Sequence, residues 1–69
     1  MPKKIRELKA MLRKAGFSLR PGKGSHTVWE HPELPGAVTI SGNDGDDAQR
    51  YQEAAVRRIL MRLREVQDE

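Results

Sequence analysis

Gly16-Phe17-Ser18-Leu19-Arg20-Pro21-Gly22-Lys23-Gly24-Ser25-His26-Thr27-Val28-Trp29-Glu30 is the stretch in which the chain changes its hydrophobic period. Before it, Ile5, Leu8, Leu12 and Ala15 are spaced 3, 4 and 3 residues apart, which is one apolar stripe of an α-helix over residues 3 to 15. From Phe17 the period becomes two: Phe17 and Leu19 point one way, Ser18 and Arg20 the other, until Pro21-Gly22-Lys23-Gly24 turns the chain. The next run, Ser25 to Glu30, is rich in β-branched and aromatic residues and stops at His31-Pro32, because proline has no N–H to give a ladder. Two such runs joined by a short glycine-rich turn predict an antiparallel hairpin. Alternation in the second run sets Thr27 and Trp29 on one face and His26, Val28 and Glu30 on the other. An indole packed inside therefore goes with an imidazole facing solvent.

On the N-terminal side, Pro2 is tolerated just before the first helical turn and Gly16 is placed for a left-handed cap. Arg6, Lys9 and Arg13 fall on the wet side of this helix. On the C-terminal side, Ala37-Val38-Thr39-Ile40-Ser41 follows a Pro35-Gly36 turn and reads as a third strand. Gly42 to Asp47 is a polar loop suited to close with an Asp as the N-cap of a second helix. That helix is expected from near residue 49 to about 66, because Val56, Ile59, Leu63 and Val66 repeat the 3, 4, 3 spacing and Ala55 and Leu60 widen the stripe.

The expected class is α+β, in the order α-β-β-β-α. A three-stranded antiparallel sheet carries both helices on one face, since that is how two amphipathic helices and a sheet with one apolar face bury them. Residues 1–69 read as a single domain without repeats. A chain this short buries only about 60% of its unfolded surface, which favours a shallow surface site over a deep cleft. The absence of cysteine excludes a disulfide framework and a thiolate metal site. Two histidines without clustered acids are a poor ligand set, so no metal and no cofactor is expected. No apolar stretch is long enough for a signal sequence or a membrane span, so a cytoplasmic protein with no membrane partner is expected.

The net charge of +3 hides an asymmetry. Residues 1 to 31 hold eight Lys or Arg against Glu7 and Glu30, and the remainder holds five Arg against eight acids, so the chain is +6 followed by −3. A polyanion is drawn to the first half, because phosphate neutralisation dominates sequence-independent nucleic-acid affinity. The same charges also fit a solvated helix face.

Gly22-Lys23-Gly24-Ser25-His26 concentrates the chemistry. Its glycines permit close backbone approach, Lys23 adds a cation, Ser25 a hydroxyl and His26 an imidazole of the kind used for acid–base work. As a bare pattern this fits a polar turn as well as a site. Lys14-Ala15-Gly16-Phe17, then Gly24-Ser25-His26, Trp29, His31-Pro32 and Val38-Thr39-Ile40 together resemble the HicA (YcfA-like) toxin family, in order and over nearly the whole chain. The resemblance implies a fold like the double-stranded RNA-binding domain and metal-independent ribonuclease activity against mRNA. It further implies a catalytic histidine at His26 and a HicB-type antitoxin that covers the site. The chain departs from the commoner family pattern in its acidic loop, where Asp44, Asp46 and Asp47 are expected to repel phosphate.

The chemistry such a site permits is attack of a ribose 2′-hydroxyl on the neighbouring phosphodiester, with His26 as general base or acid. Lys23 and the backbone N–H groups of Gly24 and Ser25 are placed to stabilise developing charge, and Lys9, Arg13 and Arg20 complete the expected RNA-facing cations. The second proton partner, the oligomeric state and the RNA sequence preference are not legible. Two other readings use the same residues: a non-catalytic RNA-binding module, and a pure interaction protein whose open sheet face docks a partner.

Overall fold

The computed structural model describes residues 2–68, so Met1 and Glu69, the two ends of the expected domain, lie outside the described residues. Helix α1 spans Ile5–Lys14, strands β1, β2 and β3 span Ser18–Pro21, Thr27–Glu30 and Ala37–Ile40, and helix α2 spans Arg50–Gln67. The strands form one antiparallel sheet in the order β1-β2-β3. The class is therefore the expected α+β, with element order α-β-β-β-α.

Register assigns the faces. Leu19, Trp29 and Val38 pair across the sheet, as do Pro21, Thr27 and Ile40, and these rows point toward the helices. Arg20, Val28 and Thr39 form a row on the open face. Trp29 and Ile40 are buried with Ile5, Leu8 and Leu12 of α1 and Val56 and Leu63 of α2, so both helices cover the same face. Burying each of these large side chains contributes about 1.5–3 kcal/mol. The indole Nε1–H donates to Thr27 Oγ1 at 2.9 Å, and that hydroxyl donates to the Ile40 carbonyl at 3.2 Å, so the one polar atom of the core indole is satisfied.

The expected end of α1 is found. Gly16 has φ +96°, its N–H donates to the Arg13 carbonyl at 3.1 Å, and the Phe17 N–H donates to the Leu12 carbonyl at 3.1 Å. Together these two bonds make a Schellman cap, and Phe17 and Leu12, the pair that normally accompanies it, are both buried.

Three expectations are corrected. Strand β2 begins at Thr27, so Ser25 and His26 belong to the turn that precedes it. Leu19 lies on the helix-facing side but stays 49% exposed, because β1 is an edge strand that the helices do not reach across. The N-cap of α2 is Gln49, whose N–H donates to the Gln52 side chain at 2.8 Å, and no Asp takes that position.

The aspartates serve the other helix. The Asp46 and Asp44 carbonyls accept the N–H groups of Ile5 and Arg6 at 2.9 and 3.2 Å, so the loop after β3 supplies acceptors that the first turn of α1 lacks. The Ala48 N–H returns to the Lys3 carbonyl at 2.7 Å and Lys4 forms an isolated bridge with Asp47. The loop thus fastens the start of α2 to the start of α1.

Candidate functional site in the glycine-rich turn

The turn between β1 and β2 is built by hydrogen bonds at both ends. The Gly22 N–H donates to the His26 carbonyl at 2.9 Å, continuing the β1–β2 ladder, and the His26 N–H donates to the Lys23 carbonyl at 3.0 Å, closing a β-turn over residues 23 to 26. Gly24, the first central residue, has φ +60° and Ser25, the second, does not have positive φ, which is the pattern of a type II′ hairpin turn. Gly22 is favoured for a different reason: a Cβ there would lie 3.1 Å from the His26 carbonyl oxygen and 3.3 Å from its Cβ, so the turn would have to shift to admit it. These two glycines bring the His26 backbone close to the end of β1 and hold it there.

His26 is exposed, as are Lys23, Gly24 and Ser25, while Trp29 is fully buried. The linked expectation of indole inside and imidazole outside therefore describes the geometry. Among the described residues, no side chain hydrogen-bonds the His26 imidazole, no carboxylate pairs with Lys23, and the N–H groups of Gly24 and Ser25 have no protein acceptor.

The Ser25 hydroxyl is engaged. Its Oγ accepts the Gly42 N–H at 3.1 Å, tying the turn to the loop after β3. Sequence reasoning did not find Gly42. The signal lay in the register: Thr27 pairs with Ile40, so two residues further along the ladder Ser25 comes opposite Gly42. Gly42 has φ +109° and sits beside the helix layer, since a Cβ there would lie 3.4 Å from Ile5 Cγ1 of α1.

That loop is less anionic than its composition. Lys9 Nζ donates to the Asp44 carboxylate at 2.7 Å and Lys4 Nζ to that of Asp47 at 2.6 Å, while the Asp46 carboxylate accepts the Asn43 N–H at 3.0 Å. The Lys9 ammonium, helped by the guanidinium groups of Arg13 and Arg6, holds the Asp44 carboxyl below its usual range. The expected repulsion of phosphate is thus offset at two of the three aspartates.

The structure brings Lys23, Gly24 and Ser25 together with His26 and disperses the other expected cations. Lys9 is committed to Asp44. Arg13 lies on α1 with its guanidinium 5.5 Å from the Trp29 ring centroid, capping the indole. Arg20 projects from the open sheet face, 3.7 Å from Glu30, an exposed pair of small energetic consequence. His31 sits at the opposite end of the sheet as a turn residue: its Nδ1 accepts the Glu33 N–H at 3.0 Å and its ring meets Phe17 edge-on at 5.2 Å. Among the described residues no three His, Cys, Asp or Glu side chains gather as a metal would need, and no helix is long and apolar enough to cross a membrane.

No curated protein and no solved structure matches the chain significantly. A family model described as the HicA toxin of bacterial toxin–antitoxin systems matches residues 5–64, from the first residue of α1 into the last turns of α2. With that match spanning both helices, the whole sheet and the glycine-rich turn, the chain belongs to the HicA toxin family.

Proposed function

We propose that this toxin is a metal-independent, cytoplasmic mRNA endoribonuclease in which His26 is the general acid–base group and a HicB-type antitoxin covers the site. The observation that carries this reading is the pairing of an exposed imidazole with unpartnered backbone N–H groups in one hydrogen-bonded turn, in a chain of the HicA family. The reaction is an internal transfer: the ribose 2′-oxygen bonds to phosphorus, the bond to the 5′-oxygen breaks, and the products are a 2′,3′-cyclic phosphate and a 5′-hydroxyl. His26 takes the 2′-hydroxyl proton or delivers one to the leaving oxygen, a contribution of roughly 10²–10⁴ in rate. The amides of Gly24 and Ser25, with the Lys23 ammonium, face the phosphate oxygens on which charge develops, and donors fixed in advance of that charge are the most effective ones.

Of the other cations expected to face RNA, Arg20 and Arg13 are exposed and available to the strand, and Lys9 joins them only by releasing Asp44. The test is RNA degradation by purified protein in EDTA. Wild type is expected to cut and His26→Ala to lose activity by at least about a hundredfold while melting normally. Equal cutting by both removes His26 from the mechanism, and loss of cutting by wild type in chelator points to a metal. RNA binding that weakens with salt, with no cutting by either protein, identifies a binding module instead.

A further inference from the structure

The outer surface between α1 and α2 carries a groove that the glycine-rich turn does not touch. Two adjoining cavities of about 310 and 370 Å³ share Met11, Leu60 and Arg64, and no sheet residue lines either. The floor is apolar: Leu8 is buried, Met11 and Leu60 are half-buried, and Met61 stands 58% exposed at the edge. The rim is cationic, with Lys3, Arg57 and Arg64 around the first cavity and Lys14 beside the second. Among the described residues none of these four has a carboxylate within ion-pair distance. Among the described residues Glu53 is the one acid on the lining.

From this combination we infer that the α1–α2 groove is a docking surface for an acidic amphipathic helix of a partner protein. The groove follows α1, whose ten residues span about 15 Å, enough to seat about three turns of a partner helix. Two methionines at such a surface adapt to differently shaped apolar side chains. Unpaired cations on both sides of an apolar strip select a ligand that is apolar along one stripe and anionic along its flanks. Nucleic acid fits less well, since its phosphates would meet the rim and leave the apolar floor uncovered. The surface lies apart from His26, so it is available whether or not the turn is catalytic.

The test uses the full chain and a fluorescein-labelled model peptide of about 15 residues, with leucines at alternating three- and four-residue spacing and glutamates flanking them. A scrambled peptide of the same composition is the control. Anisotropy is expected to show binding of the patterned peptide that weakens about tenfold in Arg57→Glu/Arg64→Glu, whose exposed substitutions leave the melting temperature unchanged. The ¹³C-methyl resonances of Met11 and Met61 are expected to shift on titration. No binding, equal binding of the scrambled peptide, an unaffected double variant, or shifts confined to the His26 turn would each overturn the assignment. Displacement of the methionine signals by an RNA oligonucleotide and not by the peptide would give the groove to nucleic acid. None of these readouts depends on RNA cleavage, so the inference fails or survives separately from the proposed nuclease.

Discussion

Gly22 and His26 are in close backbone contact that a side chain at position 22 would crowd: the N–H of one meets the carbonyl of the other at 2.9 Å, and a Cβ on Gly22 would intrude to 3.1 Å from the same oxygen. The position of the imidazole is therefore tied to the absence of a side chain four residues earlier. Gly22→Ala is expected to cost only about 1 kcal/mol of stability, because the turn is exposed and can yield by a few tenths of an ångström. The same displacement moves His26 relative to the free amides, so RNA cleavage should fall by about tenfold or more while most of the protein stays folded. Thermal melting and single-turnover cleavage, measured side by side, separate the two effects. Activity equal to wild type would show that the reacting groups tolerate the shift.

Ser25 offers a second handle on the turn. Its Oγ accepts the Gly42 N–H, so Ser25→Ala leaves that donor to water and loosens the turn from the loop, at a cost below about 1 kcal/mol for such an exposed bond. Ser25→Thr keeps the acceptor. Hydrogen exchange at the Gly42 amide is expected to accelerate in the alanine variant and to be restored by threonine. Unchanged exchange in Ser25→Ala would mean that the bond is not maintained in solution.

How far these features were visible in the sequence depended on whether they are local. The stripe Ile5-Leu8-Leu12 and the alternation Thr27-Trp29 are properties of neighbouring residues, and each faces the core as its period requires. Val66 belongs to an equally regular stripe yet is 40% exposed. Its helix is about 27 Å long and each four-residue strand about 13 Å, so the last turn of α2 runs beyond the sheet that would cover it. The uses of the aspartates were out of reach for the same reason: Asp44 and Asp46 cap a helix some forty residues earlier in the chain, a pairing that no local pattern encodes. Of the site, Lys23 to His26 were legible because they are contiguous, whereas Gly42 is joined to them only through strand register.

The buried Gln52 is the clearest case of a residue that pattern reading passes over. It heads the buried face of α2 one turn before Val56, is 5% exposed, accepts the Gln49 N–H and donates to the Ser41 carbonyl at 2.9 Å. Gln52→Leu is expected to destabilise by about 2–3 kcal/mol, since both backbone groups lose their partner where water reaches poorly. Gln52→Glu keeps the acceptor for Gln49 but sets a carboxylate against the Ser41 carbonyl. Urea denaturation of this variant should therefore show stability improving as pH falls through the carboxyl's titration range. A flat profile would mean that the side chain turns out to solvent.

Thr27 offers an isosteric test of the core. Thr27→Val preserves shape but removes the oxygen that accepts from the Trp29 indole and donates to the Ile40 carbonyl. With the indole fully buried, the orphaned Nε1–H should cost about 1–3 kcal/mol. Trp29 is the only tryptophan, so its fluorescence reports the change directly. Emission is expected to shift while the unfolding midpoint falls, and an unmoved midpoint would show that the indole has found another acceptor.

The Lys9–Asp44 pair predicts how stability responds to acid. The Lys9 ammonium bonded to Asp44 lowers the carboxyl's pKa in the folded state from its ordinary 3.8. A group depressed on folding contributes stability that is fully present above the unfolded pKa and is lost as pH falls through the folded one. Wild type should thus exceed Asp44→Asn in unfolding free energy at neutral pH, and the gap should start to narrow below about pH 4 and close only once the pH has passed the depressed folded-state pKa. The Asp44 carboxylate is exposed while the Lys9 side chain is largely covered, so added salt should shrink the neutral-pH gap only in part. The backbone carbonyl of residue 44 still accepts the Arg6 N–H in the variant, which isolates the carboxylate from the helix cap. A gap that persisted undiminished at pH 2 would assign the stability to something other than the ion pair.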